Sequence, residues 1–266
     1  MSGVARRVLI GLAVVAVAFP FVWVLLAAFK GPTELSDPSQ VVFDPTLRNW
    51  DDVAEGGVFE AAFNSIQVGL ATVALSLVAG SLGAYAISRF RAGGNATRFG
   101  ILLSQVMPPA VLVVPFFIVF FDLGLRDTVI AVMASHLTFV LPVVTWFLIG
   151  FFDAVPRELE EQAMVDGYGR FAAFWRVVLP QVLPGLGAAA IFAFVLSWND
   201  LFYALILAGG ETETLPVAIA AFNTFRGVEL GAMAAAILVS VVPVLIASFF
   251  VQRRLVRGIS GGALKY

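Results

Sequence analysis

The sequence predicts an all-α integral membrane protein with six transmembrane helices, and three observations carry that prediction. Of its 266 residues, 60% are hydrophobic and only 13% charged, with mean hydropathy +0.96; a soluble domain holds about 45–50% apolar and about 25% charged residues. Six apolar stretches, at 8–29, 61–88, 99–121, 128–152, 182–207 and 230–251, each reach the ~20 residues that a bilayer crossing needs. Basic residues, finally, gather in alternate connecting segments.

The first stretch follows Arg6-Arg7, as a secretory signal would. Its apolar run is far longer than the ~7–15 residues of a signal core, and no small-x-small cleavage site follows, so a retained first span is expected. The segment at 30–60 reads as loop with at most one short helix, near 47–54. The segment at 208–229 holds an apolar run, 215–222, too short to span and therefore re-entrant or interfacial. With an even number of spans both termini share a side. Placing them inside puts Arg6, Arg7, Arg89, Arg91, Arg98, Arg157, Arg170, Arg176, Arg253, Arg254, Arg257 and Lys265 in the cytoplasm, and leaves only Lys30, Arg48, Arg126 and Arg226 outside. The positive-inside rule thus predicts cytoplasmic termini. No internal repeat or separate soluble domain is evident, so residues 1–266 are expected to form one transmembrane domain.

Composition also excludes functions. The chain has no cysteine, which removes disulfides, thiolate metal sites and thiol catalysis together. His136 is its one histidine, and a net charge of −2 gives no basic excess for nucleic acid. No catalytic pair or metal cluster is apparent, so the chain is not expected to be an enzyme or to hold a metal. A phosphate loop of the form G-x-x-x-x-G-K-[ST] is missing too.

Only the segment 153–184 has room for structure on the cytoplasmic side. Pro156 suits the first turn of a helix, where its missing donor is harmless. Glu158, Glu160 and Glu161 suit the positive end of the helix dipole, and Gly167 stops the helix. A second amphipathic stretch starts near Arg170, with Phe171, Phe174, Trp175 and Val178 on one side. It should end near Val178, because the residue before Pro180 is pushed out of the helical region. Two short helices, a glycine corner and a proline-bounded exit result. Taken by itself the pattern also suits a hairpin lying on the membrane surface with its charges merely solvated.

The spacing of particular residues favours a more specific reading. Glu161, Gln162 and Ala163, then Gly167, then Val177, Leu179 and Pro180 resemble the EAA loop of the integral-membrane subunits of binding-protein-dependent ABC importers: Glu-Ala-Ala, three residues, Gly, nine residues, Ile, one residue, Leu-Pro. Asp166 also fits; Gln162 and Val177 depart from the pattern. LRNWDD at Leu47, NSIQVGLAT at Asn64, AYAISRF at Ala84, SWNDLFYAL at Ser197 and QRRLVRGISGGALKY at Gln252 look like the carbohydrate-uptake branch, and within it the chain is similar to the smaller maltose-type permease subunit. The resemblance implies a type I ABC importer permease fold and import of a mono-, di- or oligosaccharide. It also implies the partners: a second, different permease subunit, two ATPase subunits that bind the ATP and Mg, an external solute-binding protein, and the lipid of a bacterial or archaeal inner membrane. The helix around Glu161–Gly167 would dock in a cleft of the ATPase, Glu161 would meet a basic group there, and Pro180 and Pro184 would keep the lever stiff.

Polar groups at membrane depth are functional candidates because burying them is costly. Ser135, His136, Trp198, Asn199 and Asp200 share one depth in the outer half of the bilayer and are candidates for a sugar path. Alternatively, Asp200 pairs with a partner subunit, or His136 satisfies Asp200 as a structural contact. Asn64, Gln67 and Gln105 read as helix-packing groups, and Gly80, Ser81, Gly83 and Ala84 as sites of close helix approach. Two rival functions stay open: the same machinery importing a polyamine, phosphate ester or osmolyte, and an ion-coupled secondary transporter.

Overall fold

The computed structural model describes residues 3–37, 40, 42–225 and 227–262, with side chains up to residue 249. Arg226, Lys265 and the side chains of Arg253, Arg254 and Arg257 lie outside the described residues. In chain order the helices are α1 (Gly3–Ala27), α2 (Pro32–Leu35), α3 (Arg48–Glu55), α4 (Val58–Phe90), α5 (Gly94–Ser104), α6 (Pro109–Asp122), α7 (Val129–Ala154), α8 (Arg157–Val165) and α9 (Arg170–Ala173). A π-helical turn (Phe174–Val178) then leads into α10 (Leu179–Trp198), α11 (Phe202–Leu207) and α12 (Leu215–Ala221). A two-residue ladder, β1 (Asn223–Thr224) against β2 (Gly227–Val228), precedes α13 (Leu230–Gly262). Among the described residues, five helices are long and apolar enough to cross a membrane, and six spans result when the bent pair α5–α6 counts as one.

Two of the expected spans are broken. The stretch read as a single span at 99–121 is α5 and α6, bent by 85°. Pro108 and Pro109 explain the break: two successive residues lack a donor, and each disfavours helical geometry in its predecessor. Pro108 is extended, at φ −63° and ψ 133°, and Pro109 starts α6. The stretch expected at 182–207 starts as α10 at Leu179 and ends at Trp198, and α11 follows after a break at 199–201. There the Asp200 carboxylate accepts from the amides of Tyr203 (3.1 Å) and Ala204 (3.3 Å), so the new helix start finds acceptors without water.

The chain divides into two compact units, Met1–Ala62 with Leu215–Pro243, and Phe63–Thr214 with Val244–Tyr266. In the first, Asn49 of α3 donates to the carbonyls of Ala28 (3.0 Å) and Lys30 (2.9 Å), which closes the end of α1 onto α3. A Cβ at Gly231 would overlap the Asn49 side chain, so the start of α13 reaches this joint only as glycine. Beyond Arg7, α1 is apolar around its circumference, and it buries only Ala27.

In the second unit α7 is central. Val140, Val144, Leu148 and Phe152 recur every four residues and are all at most 1% exposed, the spacing of one helix face. They pack with Val73, Ala84 and Tyr85 of α4 and with Val182, Ala189 and Ala193 of α10. A Cβ on Gly80 would lie 3.0 Å from Val144, in keeping with close helix approach in that stretch. Gly185 is tighter: its Cβ would lie 2.5 Å from the ring of Phe151. A smaller cluster joins Val113 and Phe120 of α6 to Tyr203 and Leu207 of α11.

The segment between α11 and α12 is tied down at both sides within this unit. Asp127 Oδ1, in the α6–α7 turn, accepts from the Gly209 amide (2.8 Å) and the Thr212 hydroxyl (2.5 Å). Asn64 Nδ2 donates to the carbonyls of Glu211 and Glu213, each at 3.1 Å. The Thr212 hydroxyl, helped by backbone amides, holds the Asp127 carboxyl below its ordinary value.

Two outcomes follow. Gly185→Ala lowers stability in detergent by about 1–3 kcal/mol through overpacking, while the matched Gly150→Ala, whose Cβ meets nothing within 4 Å, leaves the melting temperature unchanged. A depressed carboxyl contributes stability that is complete above its ordinary pKa and lost as pH falls through the lowered one. In a Glu213→Gln background, which removes a neighbouring carboxyl that burial pushes up, a fluorophore on Gly210→Cys, in a chain without other cysteines, therefore reports a constant environment from pH 8 down to about 4 and a change only below that. With Asp127→Gly the changed signal is present at neutral pH.

Candidate functional site

The segment 153–184 folds as the two-helix corner that its residues suggest, with one difference. α8 is preceded by Pro156, extended at φ −55° and ψ 135°. It ends at Gly167, whose φ of +90° suits glycine above other residues. Two reverse bonds close the end: Gly167 N to Met164 O at 3.1 Å and Tyr168 N to Ala163 O at 3.0 Å, the pairing of a Schellman motif. The second helix does not stop at Val178. It runs from Arg170 through the π-helical turn into α10, and Leu179 has helical angles of φ −60° and ψ −40°. Proline in a helix clashes with the carbonyl four residues back. The wide turn before Pro180, with Leu179 N bonded to Phe174 O, accommodates it without breaking the axis. Segment and span are thus one continuous helix of 29 residues, Arg170–Trp198.

α8 presents two chemically different faces. Glu161 and Gln162 are exposed, as are Asp166 and Gly167 at the corner, whereas Ala163 and Glu160 are buried. Apolar side chains also lie open: Val165 is 88% exposed and Phe171 71%. Leu179 is half-buried and Pro180 exposed at the entry to α10.

Beneath α8 lies a polar cluster that the sequence reading did not assemble. Glu160 Oε2 receives Arg89 Nε at 3.0 Å, and its Oε1 receives the Tyr85 hydroxyl. The same guanidinium donates through Nη2 to the Val155 carbonyl at 2.9 Å. Ser88 donates to Asp153 Oδ1 at 2.6 Å, Arg98 of α5 pairs with Asp153 Oδ2 at 3.0 Å, and Arg157 donates to the Ser88 carbonyl at 3.1 Å. Arg89, Arg98 and Arg157 entered the sequence argument only as orientation charges, and Glu160 only as a helix-start acid. One signal was available: Glu160 lies three residues before Ala163, on the helix face that points inward.

The polar candidates in the spans are placed as follows. His136 is 1% exposed and stands between Ser197 Oγ, 2.7 Å from Nδ1, and Asp200 Oδ2, 3.1 Å from Nε2. These three residues form one cluster linking α7 to the α10–α11 break. Ser135 is buried, with its hydroxyl on the Val132 carbonyl at 2.6 Å. Trp198 is buried and stacks on Phe194. Asn199 is exposed and donates to the Val195 carbonyl at 2.7 Å. Gln105, in the bend between α5 and α6, donates to the Phe139 carbonyl of α7 at 3.4 Å.

Comparison with known proteins agrees with this architecture. Residues 73–261 match the family model described as binding-protein-dependent transport system inner membrane component. The trehalose transport system permease protein SugB of Mycobacterium tuberculosis is 35% identical over 255 residues, covering 92% of each chain. The diacetylchitobiose uptake system permease protein DasC of Streptomyces coelicolor is 33% identical, covering 94% of this chain and 93% of that one. The sulfoquinovosyl glycerol transport system permease protein SmoH of Agrobacterium fabrum is 32% identical, covering 93% and 88%. Among solved structures, a bacterial ABC transporter involved in import of the acidic polysaccharide alginate superposes with TM-score 0.75 at 21% identity, covering 94% of this chain and 95% of its own. The MetNI methionine ABC transporter, in an inward-facing conformation, gives 0.62 at 18% identity, covering 80% and 99%.

Proposed function

Because the chain belongs to the family of binding-protein-dependent transport system inner membrane components, a membrane transport family and not an enzyme family, we propose that it is one permease half of an ATP-driven sugar importer. The observation that carries the sugar assignment is near-full-length similarity to permeases named for trehalose, diacetylchitobiose and sulfoquinovosyl glycerol. The chain is a multi-pass membrane permease. It works in the inner membrane of a bacterium or archaeon, with both termini and the 153–184 segment on the cytoplasmic side.

Energy enters through the exposed face of α8. Glu161, Gln162, Asp166 and Gly167, with Leu179 and Pro180 at the root of α10, form the contact to a cytoplasmic ATPase, which binds ATP and Mg itself, while buried Ala163 seats the helix from beneath. Two such ATPases serve this chain and a second, different permease subunit, and an external solute-binding protein delivers the sugar. Open Val165 and Phe171 beside Glu161 suit a partner cleft that buries apolar surface and answers one acid with a basic group. The continuous helix from Arg170 to Trp198 carries displacement of the corner into the membrane as a rigid body. On the translocation path, Asp200 and exposed Asn199 offer hydrogen-bonding groups beside Trp198, His136 and Ser135. His136 and Asp200 already satisfy one another, so sugar contact there acts through the small edge of Asp200 that stays accessible, 12% of its side chain.

In the assembled complex, a disaccharide panel including trehalose and diacetylchitobiose, presented on the binding protein, stimulates ATP hydrolysis for at least one sugar. Stimulation by a polyamine or phosphate ester and by no sugar would overturn the substrate class. The double variant Glu161→Lys, Gly167→Leu, which reverses a charge and forces a bulky residue into φ +90°, abolishes uptake; wild-type transport in that variant would remove the coupling role.

A further inference from the structure

We propose that Glu160 is a positioning residue which, through Arg89 and Tyr85, fastens α8 to the end of α4 so that the corner and that span move as one body. The proposal rests on the coupling role of 153–184 given above and concerns the inward face of α8, not its ATPase-facing side.

The two neighbouring acids divide the labour. Glu161 is exposed and free to meet a partner, whereas Glu160 is 7% exposed and has both oxygens engaged by α4. Its guanidinium partner is 9% exposed and is also held by the Val155 carbonyl, the residue that ends α7. Three segments, α4, the end of α7 and α8, therefore meet at one arginine. A second bridge runs in parallel, from Arg98 through Asp153 to Ser88, whose carbonyl takes Arg157 of α8.

Covalent connection alone does not make α8 rigid with the spans. It hangs between extended Pro156 and Gly167 at φ +90°, and dihedral changes at either end would let it swivel under load. Apolar packing resists separation but tolerates sliding, because it has little directionality. A charge-assisted pair has both: an arginine edge on a carboxylate is directional, and parting two desolvated charges leaves each uncompensated in a buried place. The Tyr85 hydroxyl fixes the second oxygen and so the rotation of the carboxylate plane. This fastening resists shear along α4, the component of motion that packing would lose.

The test uses the assembled complex with nitroxide labels on Glu158→Cys in α8 and Ala92→Cys just beyond α4, both exposed, in a chain with no cysteine of its own. With native Glu160 the label pair gives one narrow distance, unchanged by Mg-ATP. Glu160→Gln, with the ATPase still co-purifying, broadens that distribution at least twofold and makes it respond to nucleotide. The charge exchange Glu160→Arg with Arg89→Glu narrows it again. A Glu160→Gln distribution as narrow as wild type overturns the proposal and leaves the function standing. So does a narrow distribution with lost ATPase association, which would make Glu160 a docking residue. Should Glu160→Gln fail to accumulate, Glu160→Asp reads the same quantity: broadening supports the proposal, and no change overturns it. A wild-type chain that associates with no ATPase overturns the proposed function, and this proposal with it.

Discussion

In a bilayer core there is no water to accept an amide proton, so a chain this apolar can interrupt its helices only where it supplies its own replacements. The interruptions follow that constraint. Where α10 ends and α11 begins, one carboxylate oxygen of Asp200 gathers two amides and the His136 ring. Where α5 turns into α6, consecutive prolines remove donors that would have gone unpaired, and Gln105 ties the bend to the Phe139 carbonyl of α7. Where Pro180 would clash inside a helix, the preceding π-helical turn makes room and the axis continues. Each break has a local chemical device beside it.

The same economy governs charge. The buried ion pair of the second unit joins segments more than seventy residues apart in sequence, at the point where the spans meet the α8 corner. Burying two charges gains little stability over an apolar pair of equal volume; what it gains is a defined angle between elements. Polar side chains in this molecule sit at joints: Asn49 at the α1–α3 closure, Asp127 and Asn64 around the 209–214 segment, Glu160 and Arg89 under α8, His136 and Asp200 at the α10–α11 break.

Much of this was legible in the chain. Apolar runs marked the spans, Gly167 marked the corner, and the spacing from Glu161 to Pro180 marked the family. Span ends and breaks were less visible, because hydropathy averages over windows longer than a two-proline bend. Proline was misread at 180 for a definite reason: its effect on the predecessor is a bias that Leu179 overrides with ordinary helical angles, and the π-helical turn takes up the separate clash with the carbonyl four residues back. The Glu160 cluster stayed hidden because nothing in a sequence states that Tyr85 and Arg89 come to lie against a residue seventy positions later. For the spans' polar residues, depth placed His136 and Asp200 level, and the structure brings them into contact, while Ser135 and Trp198 lie buried beside them.

The inward Glu160 and outward Glu161 give the α8 segment a counting rule. A helix advances 100° per residue, so one residue inserted between Pro156 and Glu160 would bring apolar Leu159 to the place that faces the arginine and swing the present partner of Arg89 off the joint. The corner at Gly167 would move with it, along with the Schellman bonds that close the helix. The number of residues from Pro156 to Gly167 is therefore as much a constraint as their identity: substitutions on the outer face can accumulate one at a time, but a length change there alters every contact of the corner together.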